Sequence, residues 1–260
     1  VCKKWNQILS DNSLWRHVDL TEYRLDLKAI WKLVRYHLSP SLLTLKIQCY
    51  AYADSNSKGR ALVSKALLRE LSTRCPNLRL LHLNECKMNS IPFKYLPPST
   101  TCLDMVCSRW KSRWMKDKQM HLPNLQQLSL VLSGQMNDFD IGDIATFAKH
   151  LTELEVLNLI LLKIDDSAVQ YIALHLKKLQ KLRFVHCHSI TDRAVISIAE
   201  GLPALNMLDI SYCPRITMRG LKSLFVCKLS VLIVGREYSL SEKKKQILKT
   251  GFPENFVLIA

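Results

Sequence analysis

Residues 179–199 read Leu179-Gln-Lys-Leu182-Arg-Phe184-Val-His-Cys187-His-Ser-Ile190-Thr-Asp-Arg-Ala194-Val195-Ile-Ser-Ile198-Ala199. The apolar period changes inside this stretch. Leu179, Leu182 and Phe184 have the spacing of a short strand, and Cys187 closes it. Ile190, Ala194, Val195, Ile198 and Ala199 follow at helical spacing, after Thr191-Asp192. The pattern restarts at once with Leu205, Leu208, Ile210 and Cys213, then Ile216-Thr217, Leu221 and Leu224. A strand that turns into a helix and then recurs is a repeat unit.

Working outward, the template L-x-x-L-x-L begins at Leu42, Leu78, Thr100, Leu125, Leu154, Leu179, Leu205 and Leu229. The copy at Thr100 is degenerate and keeps Leu103 and Met105. Helical periodicity fills the intervals at 61–73, 141–150, 165–176, 191–200 and 217–225. Polar residues 54–59 read as a surface loop in the longest interval. One repeat cannot bury its own apolar face, so the strands must stack in a parallel sheet with helices covering one side. At the C-terminus Ser241 is positioned to cap a short helix, and Phe256-Val257-Leu258-Ile259 reads as a capping strand.

Composition bounds the rest. The 260 residues are 48% apolar, with seven glycines, as in a globular chain. No apolar run approaches the roughly 18–20 residues needed to span a bilayer. The nine cysteines are scattered, with no Cys-x-x-Cys pair. Cys75, Cys86, Cys187 and Cys213 sit at repeat positions where a thiol serves as a small apolar group. Reduced thiols in a cytoplasmic or nuclear protein are therefore expected, not a disulfide framework. The net charge of +15 raises an acidic partner or nucleic acid. The sequence lacks an initiating methionine and enters a helix at once, so it reads as a chain whose beginning lies upstream.

Alternate strand residues face away from the core. On the expected concave face these include Lys46, His82, Asp104, Ser129, Asn158, Lys181, Arg183 and Asp209. This lining mixes both charges with polar and apolar groups, which suits a protein partner better than a phosphate backbone. Arg109-Trp-Lys-Ser-Arg113-Trp-Met-Lys-Asp-Lys118 interleaves cations and aromatics, as base-stacking surfaces do. Trp110 and Trp114 are four apart, however, which on a helix makes them core anchors. His186-Cys187-His188 is metal-capable, but the repeat claims Cys187 and no second ligand cluster follows at zinc-like spacing. No metal or cofactor is expected. No phosphate-binding glycine loop, G-x-S-x-G or nucleophile–base pairing is visible, so the reading is of a binding protein rather than an enzyme.

Two resemblances sharpen this. The repeat spacing, Cys75-Pro76-x-Leu78, the strand-closing cysteines and the turn Ile190-Thr191-Asp192 resemble the cysteine-containing leucine-rich repeats. That implies an α/β solenoid, with a curved parallel sheet inside and helices outside. At the N-terminus Val1-Cys2-x-x-Trp5, Leu9, Asp11, Leu14-Trp15 and Val18-Asp19-Leu20 resemble the C-terminal half of an F-box. Together they resemble the F-box/LRR proteins, with a partial F-box at 1–20, a linker helix at 21–41 and repeats over 42–260. The resemblance implies a non-catalytic substrate-recognition subunit of an SCF-type ubiquitin ligase. Val1, Cys2, Trp5, Leu9, Leu14 and Trp15 would serve the F-box, which docks the Skp adaptor and through it a cullin-RING scaffold. The repeat face would hold a protein substrate. The leading Leu-Pro element of an F-box is not in the sequence, so weak adaptor binding is expected of these 260 residues. The competing readings are a repeat scaffold or receptor fragment, and a basic nucleic-acid-binding solenoid.

Overall fold

A computed structural model describes all residues except 1–2, 24, 50–62, 87–92, 109–121, 132–140, 236–237 and 239. The expected loop at 54–59 and the Arg109–Lys118 stretch lie outside the described residues. The chain is α/β and divides into two units, one reaching Leu125 and one running from Gln126. Each is a parallel sheet whose strands follow chain order.

The first unit opens with helix α1 (Lys3–Leu9) and a 3-10 turn (Asn12–Trp15) whose cap, Asp11, accepts the Ser13 N–H. Strands β1 (His17–Leu20), β2 (Thr44–Gln48), β3 (Leu80–Asn84) and β4 (Cys102–Val106) then pair side by side. Helix α2 (Leu27–Tyr36), capped by Asp26, packs against α3 (Lys65–Arg74), capped by Ser64. The sequence reading assigned His17–Leu20 to the helical N-terminal piece. In the structure they are a sheet strand, in register with Thr44–Ile47.

The second unit contains β5 (Gln127–Val131), α4 (Ile141–His150), β6 (Val156–Ile160), α5 (Asp166–His175), β7 (Lys181–Val185) and α6 (Asp192–Gly201). It continues with β8 (Met207–Asp209), α7 (Met218–Ser223), β9 (Val231–Ile233), α8 (Glu242–Thr250) and β10 (Val257–Ile259). The four helices α4 to α7 stack in order. The last strand pairs with β9, at the place of the expected capping strand.

The repeat residues form the core as the template requires. Leu157, Leu159, Leu182, Phe184, Leu208 and Leu232 are fully buried, while the residues between them are half-exposed. The strand-closing thiols do more than fill space. Cys187 Sγ donates to the Leu159 carbonyl and Cys213 Sγ to the Phe184 carbonyl, each reaching back one repeat. Ser108 holds the same position in the degenerate copy, and its hydroxyl donates to the Leu83 carbonyl at 3.0 Å. One residue earlier the backbone is left-handed in five copies, at Glu85, Cys107, Leu161, His186 and Tyr212. Their shared conformation comes from the repeat's turn.

One expectation is corrected. Cys49 and Cys86 form a disulfide, with Cα atoms 5.2 Å apart. They stand just past the ends of paired strands β2 and β3, and neighbouring strands run within bridging distance. The other described cysteines are thiols, outside any disulfide. Burial pushes the Cys187 thiol up to about 12, with the nearby Cys213 adding to the effect. Burial likewise takes Cys75 and Cys102 to about 11. Such thiols are poor nucleophiles.

Neighbouring helices are tied at both ends. Lys177 Nζ donates to the Ala173 and Gly201 carbonyls, satisfying the ends of α5 and α6 together. A Cβ at Gly201 would lie 2.7 Å from Ala173 Cβ. Gly201→Val is therefore expected to push α6 from α5 and lower unfolding free energy by about 1–3 kcal/mol, read by urea denaturation. At the opposite ends, Asp166 accepts the Thr191 N–H and hydroxyl at 2.7 and 2.6 Å. Asp192 accepts the same pair from Thr217 at 2.7 and 2.6 Å. Each threonine is also the N-cap of its own helix.

Candidate functional site

The predicted lining residues fall on the half-exposed face of the two sheets, in two rows set by strand register. In the first unit Asp19, Lys46, His82 and Asp104 stand side by side on β1 to β4. Lys46 Nζ lies 2.9 Å from Asp19 Oδ2, and His82 Nδ1 donates to Asp104 Oδ2 at 2.8 Å. The row thus begins and ends in carboxylates. Asp104 Oδ1 and Asn84 Oδ1 are buried and have no hydrogen-bond partner among the described residues.

Asp19 is the member that sequence reasoning missed. Its carboxyl is held down at about 2, from 3.8, by the Thr21 hydroxyl first and then by Lys46 and the Thr21 N–H. A lowered carboxylate stabilises the fold above its unfolded pKa, and that contribution is lost as pH falls through about 2. The pair is half in solvent, so its weight is small. Lys46→Met should raise the Asp19 midpoint toward 3.8, measured by NMR titration of the side-chain carboxyl. The signal was present in the sequence: Trp15-x-x-Val18-x-Leu20 is the repeat template with Trp in its first position.

In the second unit Ser129, Asn158, Arg183 and Asp209 form the corresponding row. Arg183 Nε donates to Asp209 Oδ2 at 3.0 Å. Asp209 is only 2% exposed and also accepts the Ser211 N–H and hydroxyl through Oδ1. It therefore positions Arg183 instead of meeting a ligand directly. Lys181 is exposed on the same strand, one pleat away. Lys181 and Arg183, two of the expected lining residues, thus differ: one is in solvent and the other is paired to a buried acid. Asn158 Oδ1 is buried without a hydrogen-bond partner among the described residues.

His186 stacks on Tyr212 with ring centroids 4.1 Å apart, and His188 meets His186 edge-on. Cys187 between them points into the core. Among the described residues, no three histidines, cysteines or acids are grouped to hold a metal. No helix among them is long and apolar enough to cross a membrane.

At the start of the chain, Val1 and Cys2 lie outside the described residues and Trp5 falls in α1. Trp15 Nε1 donates to the Leu9 carbonyl at 2.8 Å, and its ring stacks on His37 at 4.8 Å. Ser41 Oγ also donates to the Asn12 carbonyl. Trp15 is thus a tie between α1 and the end of α2. Leu14 is 55% exposed, and Ile8 and Leu9 are exposed beside it. Three apolar side chains in water on a short capped segment have the composition of a docking surface.

No protein-family model matches the chain. Along its whole length it is 29% identical to F-box/LRR-repeat protein 12 of Homo sapiens, covering 87% of that protein. The Mus musculus protein of that name is 27% identical at the same coverage. The chain is a relative of F-box/LRR-repeat proteins. A more distant likeness is to F-box/LRR-repeat protein 4 of Bos taurus, 23% identical over 59% of this chain and 21% of that one. Two solved structures share the fold. A chain of the yeast Rad7–Elc1 complex superposes with a TM-score of 0.52 at 16% identity, covering 97% of this chain and 76% of that one. A chain of the TLR13–ssRNA13 complex gives 0.50 at 22%, covering 84% and 28%. The similarity to F-box/LRR-repeat protein 12 runs over the full chain, the N-terminal segment and the strand rows alike.

Proposed function

We propose that this chain is the substrate-recognition subunit of an SCF-type E3 ubiquitin ligase. The observation that carries the reading is similarity along the entire chain to proteins named for an F-box and leucine-rich repeats. In this reading Ile8, Leu9 and Leu14 belong to the surface that meets a Skp adaptor, which bridges to a cullin-RING scaffold in the cytoplasm or nucleus. Trp15 anchors that segment to the first repeat. Lys46, His82 and Asp104 in one unit, and Ser129, Asn158, Lys181 and Arg183 in the other, are proposed contacts for a protein substrate. Their charges are largely paired within each row, which suits a partner that supplies hydrogen bonds and apolar contact. The chain contributes proximity and orientation, and the bond-making belongs to its RING and E2 partners.

The test is co-purification of the Skp adaptor with the chain extended upstream. Leu9→Glu with Leu14→Glu should abolish recovery, because charges would be buried unpaired at the interface. Lys46→Met should leave it intact. Failure of the extended chain to retain adaptor and cullin would refute the assignment.

A further inference from the structure

Just before the strands of the first unit, the repeat lays another row of side chains along the edge of the sheet. Arg16, Leu43 and Arg79 each follow the first template position, held by Trp15, Leu42 and Leu78. Their carbonyls fix the row. That of Arg16 accepts the Leu43 and Thr44 N–H groups, that of Leu43 accepts those of Arg79 and Leu80, and that of Arg79 accepts those of Thr101 and Cys102. Neighbouring strands stand roughly 4.8 Å apart, so the two arginine backbones are separated by about 10 Å with a leucine between them. All three residues line one recess of about 770 Å³, together with Pro40 and Pro76. The prolines are likewise repeat equivalents, two residues before Leu42 and Leu78. The row reads cation, apolar group, cation.

The polar groups of this recess are largely committed to holding repeats together. Ser41 Oγ donates to the Asn12 carbonyl at 2.8 Å, Asn77 Nδ2 to the Pro40 carbonyl at 2.9 Å and Ser99 Oγ to the Leu78 carbonyl at 2.7 Å. The guanidiniums are not committed. Both arginines are exposed, and neither side chain has a hydrogen-bond or ion-pair partner among the described residues. Protein surfaces ordinarily intersperse acids among cations, but among the described residues no carboxylate lines this recess. By contrast Lys46, on the face of the same sheet, lies 2.9 Å from Asp19.

We infer that this recess binds an acidic segment of a protein partner, with a carboxylate on each arginine and an aliphatic side chain against Leu43 and the two prolines. Each guanidinium presents a fork of donors that matches a carboxylate in two parallel hydrogen bonds. Leu43 is half-exposed, and covering it removes apolar surface from water. A lone phosphate is a poorer fit, because it concentrates charge at one point and leaves the apolar centre of the row uncovered. So is a nucleic acid strand, which gains from aromatic stacking, whereas no aromatic side chain among the described residues lines the recess. The row precedes the strands and is distinct from the face residues proposed above as substrate contacts. The inference stands on these side chains alone and does not depend on adaptor binding.

The probe is the fluorescent peptide Gly-Glu-Glu-Leu-Leu-Glu-Glu-Gly, titrated into the whole chain and followed by anisotropy. Binding is expected for this peptide and not for the form with glutamine in place of every glutamate. Replacing its leucines by glycine should weaken binding several-fold. Arg16→Gln with Arg79→Gln should weaken it at least about tenfold, while the Lys pair at the same positions loses less because charge remains. Lys243→Gln with Lys244→Gln removes the same charge from the exposed surface of α8 and should leave affinity unchanged. Thermal unfolding of each variant should match the parent, since the substituted side chains are exposed. Unchanged affinity in the Arg-to-Gln pair would overturn the assignment, as would equal losses in the two Gln pairs, which would mean that net charge alone attracts the peptide. So would equal binding of the glutamine or the leucine-free peptide, or Arg16- and Arg79-dependent capture of a single-stranded oligonucleotide without the acidic peptide.

Discussion

Phe184→Ala is expected to lower the unfolding free energy by about 3–5 kcal/mol. The ring is fully buried in β7, between β6 and β8. Its register partner on β6, Leu159, is itself fully buried and held in a hydrogen-bonded ladder that resists collapse into the space left behind. The Phe184 carbonyl also receives the Cys213 thiol, so a shift of this strand disturbs the next turn. Urea denaturation would show a lower midpoint with little change in slope. A loss below about 1 kcal/mol would mean that the site repacks and that the repeat core is far softer than its burial implies.

The second large effect is at Asp209. Replacement by alanine removes the acceptor for three donors, the Arg183 Nε–H, the Ser211 N–H and the Ser211 hydroxyl. The serine groups are buried and would lose their partner, at a cost of about 2–3 kcal/mol. Asp209→Asn keeps one oxygen to accept from Ser211 and should recover most of that loss, while leaving Arg183 without its counter-charge. Comparing the two by chemical denaturation separates the hydrogen bonds from the ion pair. If alanine and asparagine cost the same, the charge on Asp209 is what matters.

The parts of the fold that repeat were legible because burial and period coincide. Leu179, Leu182 and Phe184 announce a strand, and Ala194, Val195 and Ile198 announce the buried face of α6. Strand β1 was not read because tryptophan replaces leucine at its head, inside a segment that also matched another motif. The Cys49–Cys86 link was invisible because it depends on which strands become neighbours across a separation of 37 residues. The site was half legible. Alternation identified the lining residues, but it does not reveal whether a charge has found a partner, so Lys181 and Arg183 looked equivalent.

The doubled bonds from Asp166 to Thr191 and from Asp192 to Thr217 also govern how the chain comes apart. Each threonine caps one helix while bound to the first residue of the helix before it. Loss of α5 would therefore strip a partner from the cap of α6, and loss of α6 would do the same to α7. A helix in this series cannot fray alone without weakening its successor. Hydrogen exchange at the start of α6 and α7 should accordingly proceed as one shared opening event, and a thermal transition through residues 166–223 should be single rather than stepwise.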